Sequence, residues 1–180
     1  MMDVTIKKME TDAEIRGKAR VHWRAWHEAY AGIVAQDYLD KLTLERCEKM
    51  AFSWPDSTIV AKDGETVAGF VAWGDRGEEA PGIGEIFALY VSREYYGTGV
   101  AQRLMEAGLE QLREYSTVCL WVLKENGRAR RFYEKCGFRP DGTEEFHPKI
   151  SAAEIRMTRE KKKTDDRALP SGADCRECQS

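Results

Sequence analysis

No stretch of this 180-residue chain approaches the roughly 20 consecutive apolar residues that a membrane helix needs. The opening residues, MMDVTIKKMETD, lack the apolar core of a secretory signal. A cytoplasmic protein with no membrane contact is therefore expected. Positive charge is not in excess: 28 Lys and Arg stand against 31 Asp and Glu, a formal net charge of -3. That balance provides no basic field for nucleic acid, so no nucleic-acid partner is expected. The five cysteines (Cys47, Cys119, Cys136, Cys175 and Cys178) are odd in number and scattered, which argues against a disulfide framework. Cys175-x-x-Cys178 supplies only two of the usual four zinc ligands. The histidines, His22, His27 and His147, complete no metal constellation, and no metal is expected.

What is present fits one folded domain. A hydrophobic fraction of 42% with 33% charge excludes wholesale disorder, and 180 residues suit a single core. From Arg159 the composition turns charged and almost free of large apolar residues. The division expected is a domain over 1–160 and a flexible charged tail over 161–180.

The central stretch runs from Gly84 to Tyr115. Ile86, Phe87, Leu89, Tyr90 and Val91 form a short apolar run suited to a buried strand, which stops at Ser92-Arg93-Glu94. After Gly97-Thr98-Gly99, the residues Ala101, Leu104, Met105, Gly108, Leu112 and Tyr115 recur at helical spacing. The first amides of a helix have no partner within it and carry the positive end of its dipole. Glycines there let a bulky anion approach the backbone, so a diphosphate is a candidate ligand for Gly97 to Ala101. Standing alone, Gly-x-Gly is better explained by a plain strand-to-helix turn, and only its context favours the anion.

Around this centre the chain reads in order as follows. Val4 to Met9 is a strand, and Thr11-Asp12 opens a helix to about Tyr30. A second helical segment starts near Ala35 and reaches toward Met50. Thr58–Ala61 and Thr66–Trp73 are strands joined by a hairpin at Lys62-Asp63-Gly64-Glu65. Ser116–Leu123 is a strand buried on both faces, and Asn126 caps a helix that ends at Gly137. Phe138–Phe146 and Ala152–Thr158 form a last strand pair. The order is β-α-α-β-β-β-α-β-α-β-β, an α+β class with a mixed, mostly antiparallel sheet of six to seven strands and about four helices.

On two motifs, this sequence resembles the GNAT superfamily of N-acetyltransferases. The turn Glu94 to Gly99 is similar to the family's Arg/Gln-x-x-Gly-x-Gly/Ala, which holds the pyrophosphate of acetyl-coenzyme A; Glu94 stands in the Arg/Gln position. Downstream, Leu120 to Phe138 resembles the family's strand followed by Asn-x-x-Ala-x-x-Phe-Tyr and Gly-Phe. The resemblance covers about residues 3 to 160. It implies a sheet splayed at its middle, acetyl-coenzyme A as cosubstrate, and transfer to an amine by direct attack in a ternary complex. Tyr96, Gly97, Thr98, Gly99, Val100 and Ala101 are then candidates for the diphosphate. Leu89, Tyr90, Val91, Asn126, Ala129 and Phe132 are candidates for the pantetheine arm. A carboxylate at Glu94 must point away from the anion.

Thioester aminolysis needs a proton acceptor, because an aliphatic amine has a pKa of roughly 10. Glu85 is the leading candidate: it opens the central strand, and alternation places it on the side of Phe87, Leu89 and Val91. A solvent-exposed strand start is the plainer alternative. Tyr133 is, by resemblance, the proton donor to the departing thiolate, although a core aromatic on the helical stripe is its ordinary role. Arg128, Arg130 and Arg131 fit a solvated face.

The resemblance assigns the acceptor site to the first two helices, the loop before the central strand and the last hairpin. Those pieces carry Trp23, Trp26, Tyr30, Ile33 and Tyr38, then Asp75, Glu78 and Glu79, then Glu144, Glu145 and Phe146. Trp26, Tyr30, Asp75 and Glu145 are the candidates singled out. Aromatics with carboxylates favour a small or polyamine-like cationic amine. The alternatives are a peptide or protein N-terminus or lysine as acceptor, or an acyl-coenzyme A-binding module without turnover. An edge strand in the final hairpin permits a homodimer.

Overall fold

A computed structural model of the chain describes residues 3–77 and 80–161. Glu78, Glu79 and residues 162–180, with Cys175 and Cys178, lie outside the described residues, so the expected tail is described only at Lys161.

Seven strands form one sheet in the order β1-β2-β3-β4-β5-β7-β6. They are β1 (Val4–Lys8), β2 (Thr58–Asp63), β3 (Thr66–Asp75), β4 (Ile83–Val91), β5 (Thr117–Leu123), β6 (Arg139–His147) and β7 (Ala152–Glu160). Five α-helices are described: α1 (Asp12–Ala29), α2 (Gln36–Lys41), α3 (Leu44–Ser53), α4 (Val100–Gln111) and α5 (Gly127–Lys135). Every strand pair is antiparallel except β4 with β5. No described helix is long and apolar enough to cross a membrane.

Local chemistry sets the element ends. Thr11 caps α1: its hydroxyl accepts from the Glu14 amide while the Glu14 carboxylate accepts from the Thr11 amide, a reciprocal box. The helical segment expected from Ala35 toward Met50 is two helices, because Thr43 starts a new one by accepting from the Arg46 amide at 3.2 Å. α4 stops at Gln111, short of the expected stripe, yet Leu112 remains in the core at 2% exposure. The last strand runs through Glu160, beyond the point where composition turns polar.

The sheet separates two apolar layers. Ile15, Ala19, Cys47 and Ala51 from α1 and α3 pack on Val60, Val67 and Phe70. On the other face, Leu104 and Met105 from α4 and Tyr133 from α5 pack on Val71, Ile86, Leu120 and Met157. Each fully buried Val, Leu, Met or Phe among them contributes about 1.5–3 kcal/mol.

Two features of β4 shape the molecule's centre. Its parallel pairing with β5 covers only Ile83–Ile86 against Thr117–Leu120, after which the two strands part. Its pairing with β3 slips by one residue, Ala72 facing Ala88 but Trp73 facing Ile86, so Phe87 is the extra residue of a bulge. The bulge corrects the expectation for Glu85. Ile86 and Val91 both pack into the layer under α4 although they are five residues apart, whereas Ala88 and Tyr90 pack toward α1. Glu85 therefore shares the α1 side with Ala88 and Tyr90, not the side of Leu89 and Val91.

Candidate active site

Where β4 and β5 part, a cleft of about 1090 Å³ runs through the sheet. One end lies at the turn before α4. Gly97 and Gly99 take φ values of 76° and 85°, and a Cβ built on either would meet nothing within 4 Å. Gly99 is the residue before α4, and no side chain caps that helix. Among the described residues, nothing accepts a hydrogen bond from the amides of Gly97, Gly99, Val100 or Ala101. Such a row of unpaired amides at a positive helix end fits a phosphate-bearing group. Glu94 does not interfere, because its carboxylate accepts from the Arg24 guanidinium on α1 at 3.3 Å. Of the turn residues, Thr98 and Val100 stay out of the cleft. The Thr98 hydroxyl donates to the Tyr95 carbonyl at 2.6 Å, and the Val100 side chain is buried in the core.

The middle of the cleft is lined by Leu89, Tyr90 and Val91 on one side and by Asn126, Ala129, Phe132 and Tyr133 on the other. Asn126 caps α5 through its Oδ1, which accepts from the Ala129 amide at 3.1 Å. Tyr133 is 9% exposed, with its ring against Phe132 and Phe138 at centroid distances of 5.5 and 6.2 Å. Burial pushes its phenol well above the ordinary range, so the hydroxyl keeps its proton at neutral pH. Arg128 closes this part of the cleft by lying 3.5 Å over the Tyr96 ring.

The far end is polar. Trp26, Tyr30, Asp75, Arg76, Glu85, Trp121, Glu145, His147 and Glu154 line it. Glu85 is 8% exposed and pairs with Arg76 at 3.2 Å. Burial raises its carboxyl above the usual range, against the opposing pull of Arg76 and Arg156. Trp26 donates its indole N–H to the Tyr90 hydroxyl at 3.0 Å, and the Tyr30 hydroxyl lies 3.4 Å from the same oxygen. Asp75 accepts from Tyr115 at 3.0 Å and from the Gly77 amide at 2.9 Å. Glu154 meets His147 at 2.9 Å.

Both expected catalytic residues and all four singled-out acceptor residues thus border one cleft. Other expected contributors point elsewhere. Ile33 and Tyr38 pack into a small core with Leu39 and Ile150, Glu144 pairs with Lys124 at 2.8 Å, and Phe146 stands 63% exposed on the outer strand β6. His22 behaves as a packed residue: it stacks on Tyr90 at 5.5 Å, and burial with nearby Lys18 lowers its pKa to about 4. Among the described residues, no group of three His, Cys, Asp or Glu side chains could hold a metal ion. Sequence reasoning missed Arg76, Trp121 and Glu154. Only Glu154 had a local signal, since hairpin pairing sets it opposite Glu145.

Residues 20–138 match the acetyltransferase (GNAT) family model. An uncharacterized N-acetyltransferase of Archaeoglobus fulgidus is 39% identical over 122 residues, spanning 61% of this chain and 79% of that protein. An uncharacterized N-acetyltransferase of Bacillus subtilis is 29% identical over 131 residues, 68% and 73% of the two chains. The PaiA N-acetyltransferase of Thermoplasma acidophilum, solved in complex with coenzyme A, superposes with a TM-score of 0.70. It is 19% identical, over 89% of this chain and 100% of that one, and so speaks for the fold. The chain belongs to the GNAT acetyltransferase family and is an acetyl-coenzyme A-dependent acyltransferase.

Proposed function

We propose that this acetyltransferase transfers the acetyl group to a primary amine of a small cationic acceptor, by direct attack within a ternary complex. The observation that carries the reading is the single cleft. It joins an uncapped, glycine-flanked helix start to a wall bearing Asp75, Glu85, Glu145 and Glu154 beside Trp26 and Tyr30. The amides of Gly97, Gly99, Val100 and Ala101 are assigned to the diphosphate. The β4 backbone at Leu89–Val91, together with Asn126, Ala129 and Phe132, is assigned to the pantetheine arm.

Acetyl-coenzyme A supplies an acetyl group activated as a thioester, whose C–S bond breaks as the new C–N bond forms. Glu85 takes the proton that the acceptor nitrogen loses in that step; its raised pKa makes it a stronger base than an exposed carboxylate. Tyr133, protonated and buried, gives its phenolic proton to the departing sulfur. The proton on Glu85 then restores Tyr133 through water in the cleft, so the protein ends as it began. Carboxylates and aromatic faces at the far end draw in a cation and leave an anionic amine poorly held.

The test is release of free coenzyme A thiol with spermidine, L-lysine, L-glutamate and an alanyl peptide as acceptors. Fastest turnover with spermidine or lysine is expected. Turnover confined to the peptide would place the acceptor outside this class, and turnover fastest with glutamate would refute the electrostatic argument.

A further inference from the structure

An amine at neutral pH arrives as the ammonium, so its nitrogen sheds two protons before the amide is complete. Glu85 and Tyr133 account for the second. The first must leave before attack, because a protonated nitrogen has no lone pair. Glu85 is poorly placed for both tasks: it is 8% exposed, and Arg76 already holds it at 3.2 Å.

The far wall contains a second group with the right construction. His147, at the end of β6, is the one histidine among the described residues that lines the cleft. Its Nε2 lies 2.9 Å from Glu154 Oε2 on β7. With Nε2 facing that carboxylate, the tautomer that carries its proton on Nε2 leaves the lone pair on Nδ1, and Nδ1 has no ion-pair partner among the described residues. The side chains are 41% and 28% exposed, so the imidazole reaches solvent while the carboxylate sits further in. A base that lines the cleft with a carboxylate behind it is the arrangement that general-base chemistry needs.

We propose that His147, oriented by Glu154, is the group that deprotonates the incoming ammonium, leaving Glu85 for the proton released as the C–N bond forms. This rests on the acetyl-transfer reading above. The N–H bond of the ammonium breaks, its electron pair stays on nitrogen, and the proton goes to Nδ1 of His147. Glu154 stabilises the imidazolium until it loses the proton to solvent. The other charged or titratable groups on this wall are Asp75 at the end of β3, Arg76 after it, Glu85 on β4, Glu145 on β6, and the hydroxyls of Tyr30 and Tyr90, with Arg156 on β7 acting on Glu85 from nearby.

A pH profile separates this role from that of a hairpin clasp. kcat/KM is measured from about pH 6 to 10 for wild type, His147→Gln and Glu154→Gln, with the fastest acceptor of the four-compound panel. For His147→Gln the expected result is a loss of about 100-fold at pH 7 that shrinks as pH approaches the amine's own pKa, where free amine needs no base. The KM for acetyl-coenzyme A stays unchanged, and added imidazole restores part of the activity of His147→Ala. Glu154→Gln gives a smaller loss of the same shape. A deficit that is constant across pH, or no deficit, overturns the proposal while leaving acetyl transfer intact. A wild-type enzyme silent with every acceptor overturns the acetyl-transfer reading itself, and the His147 assignment with it.

Discussion

Replacing Gly99 by alanine separates backbone strain from cofactor binding. Gly99 has φ of 85°, and a Cβ there would meet nothing within 4 Å. The change therefore brings no clash, only the cost of a left-handed alanine, about 1–2 kcal/mol. In a chain of this size that lowers Tm by about 5 °C. Relief of the strain would re-aim the amides at the start of α4, which the account assigns to the diphosphate. Each charge-assisted hydrogen bond lost weakens binding by about 1.5–3 kcal/mol, or roughly 10- to 150-fold. Gly64, in the two-residue turn between β2 and β3, is the matched control: its φ is 57°, and its Cβ would likewise meet nothing within 4 Å. Thermal melts and titration calorimetry with coenzyme A on both variants complete the comparison. Both should melt earlier by similar amounts, but only Gly99→Ala should bind coenzyme A more weakly. Equal coenzyme A affinity in the two variants would refute the assignment of this turn.

Three further perturbations follow from the same geometry. Tyr133→Phe removes a hydroxyl and keeps the ring packing on Phe132 and Phe138, so kcat should fall by about 100-fold with coenzyme A affinity within about twofold. An unchanged rate would make Tyr133 a core aromatic only. Glu94→Gln breaks an exposed pair with Arg24 that contributes at most about 1 kcal/mol, and calorimetry should find coenzyme A affinity altered by less than about threefold. Burial works against the Glu14 carboxylate, but Lys7 at 2.8 Å and the amides of Glu10 and Thr11 hold its pKa down to about 2. A lowered carboxyl pKa contributes stability above its unfolded value and loses it as pH falls through the folded one. That amounts to something on the order of 3 kcal/mol lost between about pH 4.5 and 2. Melting curves of Glu14→Gln over that range should be flatter against pH than those of wild type.

The parts legible in the sequence are those with a local cause. Thr11-Asp12, the Asp63-Gly64 turn, the glycines before α4 and Asn126 before α5 each act within a few residues, and each element boundary they imply is present. The bulge at Phe87 is different. It depends on how β3 and β4 register against one another, and strict alternation put Glu85 on the wrong side of its strand. The split of the second helical segment rests on Thr43, a single capping side chain inside a stretch whose helical pattern continues across it. His147 and Glu154 are seven residues apart in the chain and meet only because the β6–β7 hairpin sets them on neighbouring strands. Arg76 reaches Glu85 from the end of β3, a contact for which neither residue's neighbours give a signal.

Acetyl-coenzyme A is assigned to the cleft between β4 and β5, with its diphosphate on the amides that open α4. A backbone-amide NMR titration with coenzyme A tests it most directly. The account predicts the largest shifts at Gly97, Gly99, Val100 and Ala101, with smaller ones at Leu89 to Val91 and Asn126. Binding that leaves the Gly97–Ala101 amides unmoved, or no binding at all, would contradict it.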